Sequence, residues 1–280
     1  MEVITNYVEI RDEEYRLIRD LVYSRFGISL GNDKKTLVVG RLSKILRSHQ
    51  YQSFEQFYQY VINDRSGKAL SLLIDHISTN HTYFFREDDH FKYFREIVLP
   101  QLAQRAREIG RLDIRIWCAG CSSGEEAYTL AMLTKEYFQN EGGNWELGLL
   151  ATDISSNALE KAQTGIYATE NIERIPTDLK RKYFRKLPDG RWQVNDSLKQ
   201  MILFRRLNLM RPSFPFKGKF PVIFCRNVMI YFDEMTRDAL VKRFHNYTEP
   251  NGYLFIGHSE TLRNYDIPYH YVQPAVYRRN

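Results

Sequence analysis

Apolar residues recur at helical spacing through residues 13–26, 34–48, 53–63 and 68–79, with few strand signals between them. Residues 1–85 therefore read as an N-terminal helical domain. Asp12 and Asp33 are expected as N-caps, and Ser53 is expected to head the third helix. The second helix is two-faced: at 100° per residue Val38, Val39, Leu42, Ile45 and Leu46 form one stripe, and Arg41, Lys44 and Arg47 line the opposite side. From about residue 112 the pattern changes. Short apolar runs, Ile114–Cys118, Leu147–Thr152, Val222–Cys225 and Tyr253–Gly257, alternate with helical stretches over about 124–140, 156–163 and 234–247. That alternation predicts an α/β fold, a doubly wound sheet in residues 86–280, with its ligand crevice beyond the carboxyl ends of the strands. An insertion at about 168–212 contains LPDGRWQV, a Pro-Asp-Gly turn between apolar flanks, and is expected to fold as a small antiparallel β-subdomain.

Charge sharpens this picture. The net charge of +6 is unevenly spread: residues 174–219 hold thirteen Lys or Arg against three Asp, a local balance of +10, which leaves −4 for the rest of the chain. Such a segment suits an acidic partner or is a solvated face. The chain is 280 residues long, 43% hydrophobic and 26% charged, which excludes disorder and fibrous folds. No apolar run reaches the ~20 residues of a membrane span, and the N-terminus MEVITNYVEIRDEEYR carries acids where a leader would be apolar. A cytoplasmic monomer, not inserted in a membrane, is expected. Three cysteines, Cys118, Cys121 and Cys225, are too few to staple the fold and fit a reducing compartment.

Chemistry gathers at strand ends. In RIWCAGCSSGEEAYTLA a buried strand passes through small residues into a helix opening with Glu125 and Glu126. Small residues admit a ligand close to backbone N–H groups, but no Gly-Lys-Ser/Thr follows, and two carboxylates repel a pyrophosphate and attract a cation. The next strand ends at Asp153, an acid suited either to the two hydroxyls of a ribose or to a helix N-cap. In the ribose reading, an adenosine that carries positive charge and no phosphates fits S-adenosylmethionine better than NAD or ATP. Cys118-x-x-Cys121 has no second ligand pair for zinc, and the adjacent glutamates oppose a thiolate, so both cysteines are read as packing residues and no metal is expected. After the third run comes CRNVMIYFD, which puts Asn227 and Tyr231 at the crevice mouth. It lacks the prolines and the Pro-Cys nucleophile of nucleic-acid methylases. ISTNHTYFFRE brings Asn80, Thr82 and Arg86 to the junction of the two domains.

Taken in order, ISTNHTYFFRE, WCAGCSSGEEAYTLA, ATDIS, RRLNLM, FCRNVMIYF and GYLFIGHSETL resemble the motifs of the CheR family, the chemotaxis receptor glutamate O-methyltransferases, over nearly the whole chain. The resemblance implies a class I methyltransferase domain, S-adenosylmethionine as donor with S-adenosylhomocysteine as product, and glutamates on the cytoplasmic helices of methyl-accepting chemoreceptors as acceptors. Carried onto matching positions, it implies cofactor contacts from Asn80, Thr82, Arg86, Glu125 or Glu126, Asp153, the Asn208-Leu209 pair and the Asn227-Val228 pair. Tyr231 matches the tyrosine near the transferred methyl, and Arg86 is placed to steer a carboxylate. The basic stripe Arg41, Lys44 and Arg47 is the expected receptor-docking face. The rival reading is a basic RNA-binding methyltransferase or RNA-binding module using the +10 segment for phosphates; sparse aromatic interleaving and the missing nucleic-acid motifs speak against it, so no nucleic-acid partner is expected.

Overall fold

The computed structural model describes residues 9–262 and 269–280; the first eight residues, part of the stretch read for the absence of a leader, lie outside it. The chain forms two compact units, one of residues up to Thr79 together with Tyr231–Thr236, the other of Asn80–Ile230 and Arg237–Asn280. They part at Thr79/Asn80, ahead of the 85/86 boundary read from the pattern. Asn80 already belongs to the sheet unit, where its carbonyl accepts the Ser122 hydroxyl at 3.1 Å.

The first unit holds α1 (Asp12–Phe26), α2 (Lys35–Ser48), α3 (Phe54–Asn63) and α4 (Lys68–Ile77). Helix α2 buries the predicted stripe, Val38, Val39, Leu42, Ile45 and Leu46, each side chain worth about 1.5–3 kcal/mol of transfer free energy. Ser53 caps α3 by accepting the Gln56 N–H at 3.2 Å. The other two expected caps are corrected. Arg11 is the α1 N-cap, its N–H held by Glu14 at 2.8 Å, so Asp12 is the first helical residue, where its charge complements the helix dipole. Asp33 lies within a 3₁₀ turn, Asn32–Lys34, that leads directly into α2 with Lys34 at the cap. The segment after Ile230 joins this unit through an Ile28–Phe232 bridge, the Ser29 N–H on the Tyr231 carbonyl at 2.8 Å, and the Tyr23 hydroxyl on Asp233 at 2.6 Å.

In the sheet unit α5 (Asp88–Tyr93) runs through a π-helical turn, Phe94–Val98, into α6 (Leu99–Glu108). There follow β1 (Asp113–Ala119), α7 (Glu125–Phe138), β2 (Glu146–Asp153), α8 (Ser156–Thr164), β3 (Ile166–Tyr167), α9 (Thr177–Tyr183), β4 (Phe184–Lys186), β5 (Trp192–Val194) and α10 (Asp196–Lys199). The chain closes with β6 (Ile202–Arg206), β7 (Phe220–Cys225), α11 (Glu234–Tyr247), β8 (Thr248–Ile256), β9 (Tyr269–Gln273) and β10 (Val276–Arg279). The main sheet has the order β6-β2-β1-β7-β8-β10-β9. Its first five strands are parallel, and β10 is antiparallel to both neighbours, so the sheet ends in an antiparallel β8-β10-β9 section that the period-based reading did not contain. Every residue of β7 is buried, as a central parallel strand requires.

The inserted subdomain is the antiparallel trio β3-β5-β4. Its hairpin turns at Leu187–Arg191 with Gly190 at φ 85°. Its strands run from Ile166 to Val194 and not over 168–212: Ile202–Arg206 pairs in parallel with Leu149–Asp153 and is an edge strand of the main sheet, because Ile202 and Phe204 turn one buried apolar face onto the core.

A candidate ligand crevice at the strand switch point

The connections leaving β1 and β7 run to opposite sides, so the gap between their carboxyl ends is the switch point of the sheet. Two loops meet there. Gly120, at φ 83°, leaves so little room that a Cβ would lie 2.3 Å from Val228 Cγ2; only glycine lets the post-β7 loop seat against the post-β1 loop. The post-β1 loop is braced from β2, whose Thr152 carbonyl accepts the Gly120 and Cys121 N–H groups at 2.7 and 2.9 Å. The loop after β6 is tied to the same strand end, with the Leu207 N–H on the Asp153 carbonyl at 2.9 Å.

Asp153 is buried and is more than a strand-end acid. Its carboxylate accepts the Ser122 N–H at 2.7 Å and the Ser155 N–H at 2.9 Å, so it fixes the post-β1 loop, where Ser122 sits at φ 48°, as well as the entry to α8. Glu125 is buried and accepts the Ser123 hydroxyl at 2.7 Å; burial pushes its carboxyl up, against the pull of that bond. Glu126 is differently placed. One oxygen accepts the Cys118 thiol at 3.3 Å and the other the Arg226 guanidinium at 2.7 Å.

Arg226, at the end of β7, has a fully buried side chain and also meets Glu87 at 2.9 Å, donates to the Arg86 carbonyl, and lies 5.1 Å over the Phe91 ring. Burial alone would raise the Glu87 carboxyl, but Arg226, the Asn227 amide and the His258 N–H hold it down at about 2. Neighbouring His90 packs edge-on to Phe255 and His258. Burial, then the charges of Arg226 and His258, lower its imidazole to about 4 against the opposing pull of Glu87. Sequence reasoning missed both Arg226 and Glu87. A charge directly after a fully buried strand was the available signal, since such a group must find partners.

The structure thus brings together Asn80, Glu125, Glu126, Asp153, Asn227 and Val228 around the two loops. Asn208 and Leu209 follow β6 beside the Asp153 end, Asn208 accepting the Met210 N–H at 2.9 Å. Arg86 is half-buried and donates to the His81 carbonyl at 2.9 Å; Thr82 is half-buried in the same segment. Tyr231 belongs to the compact unit of the N-terminal helices. So do Lys44 and Arg47, which are exposed, and Arg41, whose guanidinium is tied to the Ile77 carbonyl and, at 2.8 Å, to the Thr79 hydroxyl. Arg41 therefore clamps α2 to the end of α4, a role the face pattern did not contain. Cys118, Cys121 and Cys225 are buried free thiols whose pKa values burial and nearby carboxylates raise far above the usual range.

The carboxylates around the two loops bear on the ligand class. Arg226 answers Glu126 and Glu87, and Glu125 and Asp153 add two further buried carboxylates, a set that disfavours a phosphate ligand.

Comparison with known proteins agrees. Residues 80–277 match the family described as CheR methyltransferase, SAM binding domain, and residues 13–78 the CheR methyltransferase, all-alpha domain. A chemotaxis protein methyltransferase of Borreliella burgdorferi is 46% identical over 270 residues, covering 96% of this chain and 95% of its own length. A probable chemotaxis protein methyltransferase of Rhizobium etli is 40% identical over 86% of this chain and 90% of its own, and the Escherichia coli chemotaxis protein methyltransferase 35% identical over 92% and 88%.

Proposed function

This chain belongs to the CheR methyltransferase family, and from that premise we propose that it transfers the methyl group of S-adenosylmethionine to glutamate side chains on the cytoplasmic helices of chemoreceptors, forming glutamyl methyl esters. The observation that carries the reading is the acidic crevice at the β1–β7 switch point. It suits a cationic, phosphate-free adenosine, and among the described residues its members are already engaged as hydrogen-bond acceptors or ion-pair partners, which leaves orientation as their task. When bound, S-adenosylmethionine supplies an electrophilic methyl on a positively charged sulfur.

Asn80, Thr82, Arg86, Asp153, the Asn208-Leu209 pair and the Asn227-Val228 pair would hold it, with Asp153 at the ribose hydroxyls. Between the two glutamates we assign Glu125, because the charge of Glu126 is answered by the buried Arg226 guanidinium, whereas the Glu125 carboxylate is bonded to the neutral Ser123 hydroxyl. A glutamate acceptor has an unperturbed pKa of about 4.3 and is ionised at neutral pH, so no general base is needed. The protein's work is to align the acceptor oxygen and exclude water from it, which in intramolecular models is worth roughly 7–11 kcal/mol. Tyr231 would orient the acceptor oxygen and Arg86 would steer the incoming carboxylate. The exposed Lys44 and Arg47 of α2 would meet an acidic receptor helix, with Arg41 behind them.

Among the described residues no helix is long and apolar enough to cross a membrane, which suits a partner working on the cytoplasmic side of receptors. The test is incubation of the protein with radiolabelled S-adenosylmethionine and receptor-containing membranes. Label in the receptor band that alkali releases as methanol supports the reading; label that survives alkali refutes the ester. Lys180 and Lys186 lie 5.5 and 5.9 Å from the Trp192 ring, a basic-aromatic cluster that keeps RNA as the second reading, and salt-dependent retention of RNA on filters would favour it.

A further inference from the structure

The GHSE stretch, Gly257–Glu260, has no part in the cofactor contacts argued above, yet it holds a carboxylate that is only 7% exposed. Glu260 follows β8, and its oxygens accept backbone N–H groups from two different loops. Oε2 takes the Asn227 N–H at 2.9 Å and the Gly257 N–H at 2.5 Å, and Oε1 takes the Ile230 N–H at 3.1 Å. One buried charge thereby ties the turn after β7, at both its ends, to the end of the neighbouring strand β8. Hydrogen bonds to an ionised acceptor in a water-poor site are the strong ones.

The turn needs such a tie. Asn227 adopts φ 57°, a left-handed conformation that a residue other than glycine keeps only where its surroundings hold it. The packing also requires a residue without a Cβ at 257. A Cβ there would lie 2.5 Å from Asn227 Nδ2, 2.8 Å from Asn227 N and 2.9 Å from Glu260 Oε2. Gly257 thus lets the Asn227 backbone and the Glu260 carboxylate close on each other, and Val228, the next residue, is the one seated against Gly120.

We propose that Glu260 is a positioning residue for the crevice: it fixes the post-β7 turn in the conformation that presents Asn227 and Val228 to the cofactor, without touching the cofactor itself. The proposal rests on the reading of Asn227 and Val228 as cofactor contacts. A Glu260→Gln change keeps size but turns an amide N–H₂ toward backbone donors, so one or more of the three N–H groups loses its acceptor.

The test is titration calorimetry with S-adenosylhomocysteine on the full chain as wild type, Glu260→Gln, Val228→Ala and the double variant. Glu260→Gln should bind about tenfold more weakly. If Glu260 acts through the turn, Val228→Ala should add little in the Glu260→Gln background, because the displaced turn no longer makes the contact. Wild-type affinity in a folded Glu260→Gln protein overturns the proposal, as do fully additive losses. Failure of the wild type to bind would sink the cofactor reading instead. Should Glu260→Gln not fold, amide exchange of the unaltered, ligand-free protein decides: the Asn227, Ile230 and Gly257 amides should be protected well beyond ordinary turn amides, and free exchange at these positions contradicts the clamp.

Discussion

The switch-point crevice and the outward side of α2 both concentrate charge, and they do so by opposite physics. In the crevice Asp153, Glu125, Glu126 and Glu87 each have a named partner, a backbone N–H, a hydroxyl or the buried Arg226. On α2, Lys44 and Arg47 stand in solvent. Charges of the first kind are costly to leave unpaired and insensitive to salt; those of the second kind contribute little singly and are screened within about 10 Å at 0.1 M salt. A pocket that must hold one cation in one pose needs the former, and a face that must attract a long acidic partner without trapping it needs the latter.

The comparison breaks most sharply at Arg226. Arg226→Met removes the group that answers both Glu87 and Glu126, and the fold should lose about 3–5 kcal/mol in urea denaturation. A loss below about 1 kcal/mol would show that the two carboxylates are hydrated and not held. Next in size, Asp153→Asn keeps the side-chain shape but faces an amide N–H₂ toward a backbone donor and removes the charge proposed to meet the ribose hydroxyls. Calorimetry should show S-adenosylhomocysteine binding weaker by about 1.5–3 kcal/mol. Unchanged affinity would reduce Asp153 to a brace for Ser122 and Ser155.

Acid should find the crevice before the surface. His90 is neutral in the fold down to about 4 against an ordinary 6.5, so the stability that depends on its neutral form is complete above pH 6.5 and is lost as pH falls toward 4. Glu87, lowered from 4.5 to about 2, adds a loss that begins below 4.5 and is complete only near 2. Melting temperature should fall with pH through the first window in the wild type and be flatter in His90→Leu. Parallel curves would place the acid sensitivity elsewhere. The smallest effect belongs to α2. Lys44→Glu with Arg47→Glu should raise the Michaelis constant for receptor severalfold with cofactor binding unchanged. Arg41 is left in place because reversing it also breaks its bonds to the end of α4.

What the sequence disclosed follows from the same contrast. The β1, β2, β7 and β8 strands and the loops after the first three were readable because a buried parallel strand is a continuous apolar run and a ligand loop is a short, local string of small residues. The edge strand β6 and the strand β10, next to the opposite edge, were not, since Ile202–Arg206 and Val276–Arg279 mix basic residues with apolar ones and β6 pairs with a partner far along the chain. Asp153 was legible as a strand-end acid, but its bond to Ser122 joins positions 31 residues apart. The Arg226 ties to Glu126 and Glu87 span 100 and 139 residues. Periodicity carries no information at that range, so the groups that hold the crevice emerge only once the sheet is folded. The stripe on α2 shows the converse: its apolar face and the exposure of Lys44 and Arg47 were legible from spacing alone, while the tie of half-buried Arg41 to Ile77 depended on where α4 ends.

The account turns on the crevice and the α2 face being governed by different electrostatics, and one steady-state experiment reads both. Methyl transfer to receptor membranes is followed while ionic strength is raised from low to several times physiological, with the Michaelis constants for receptor and for S-adenosylmethionine determined at each step. The account predicts that the receptor constant climbs steadily while the cofactor constant stays level. Two constants that rise together, or a receptor constant that ignores salt, would contradict it.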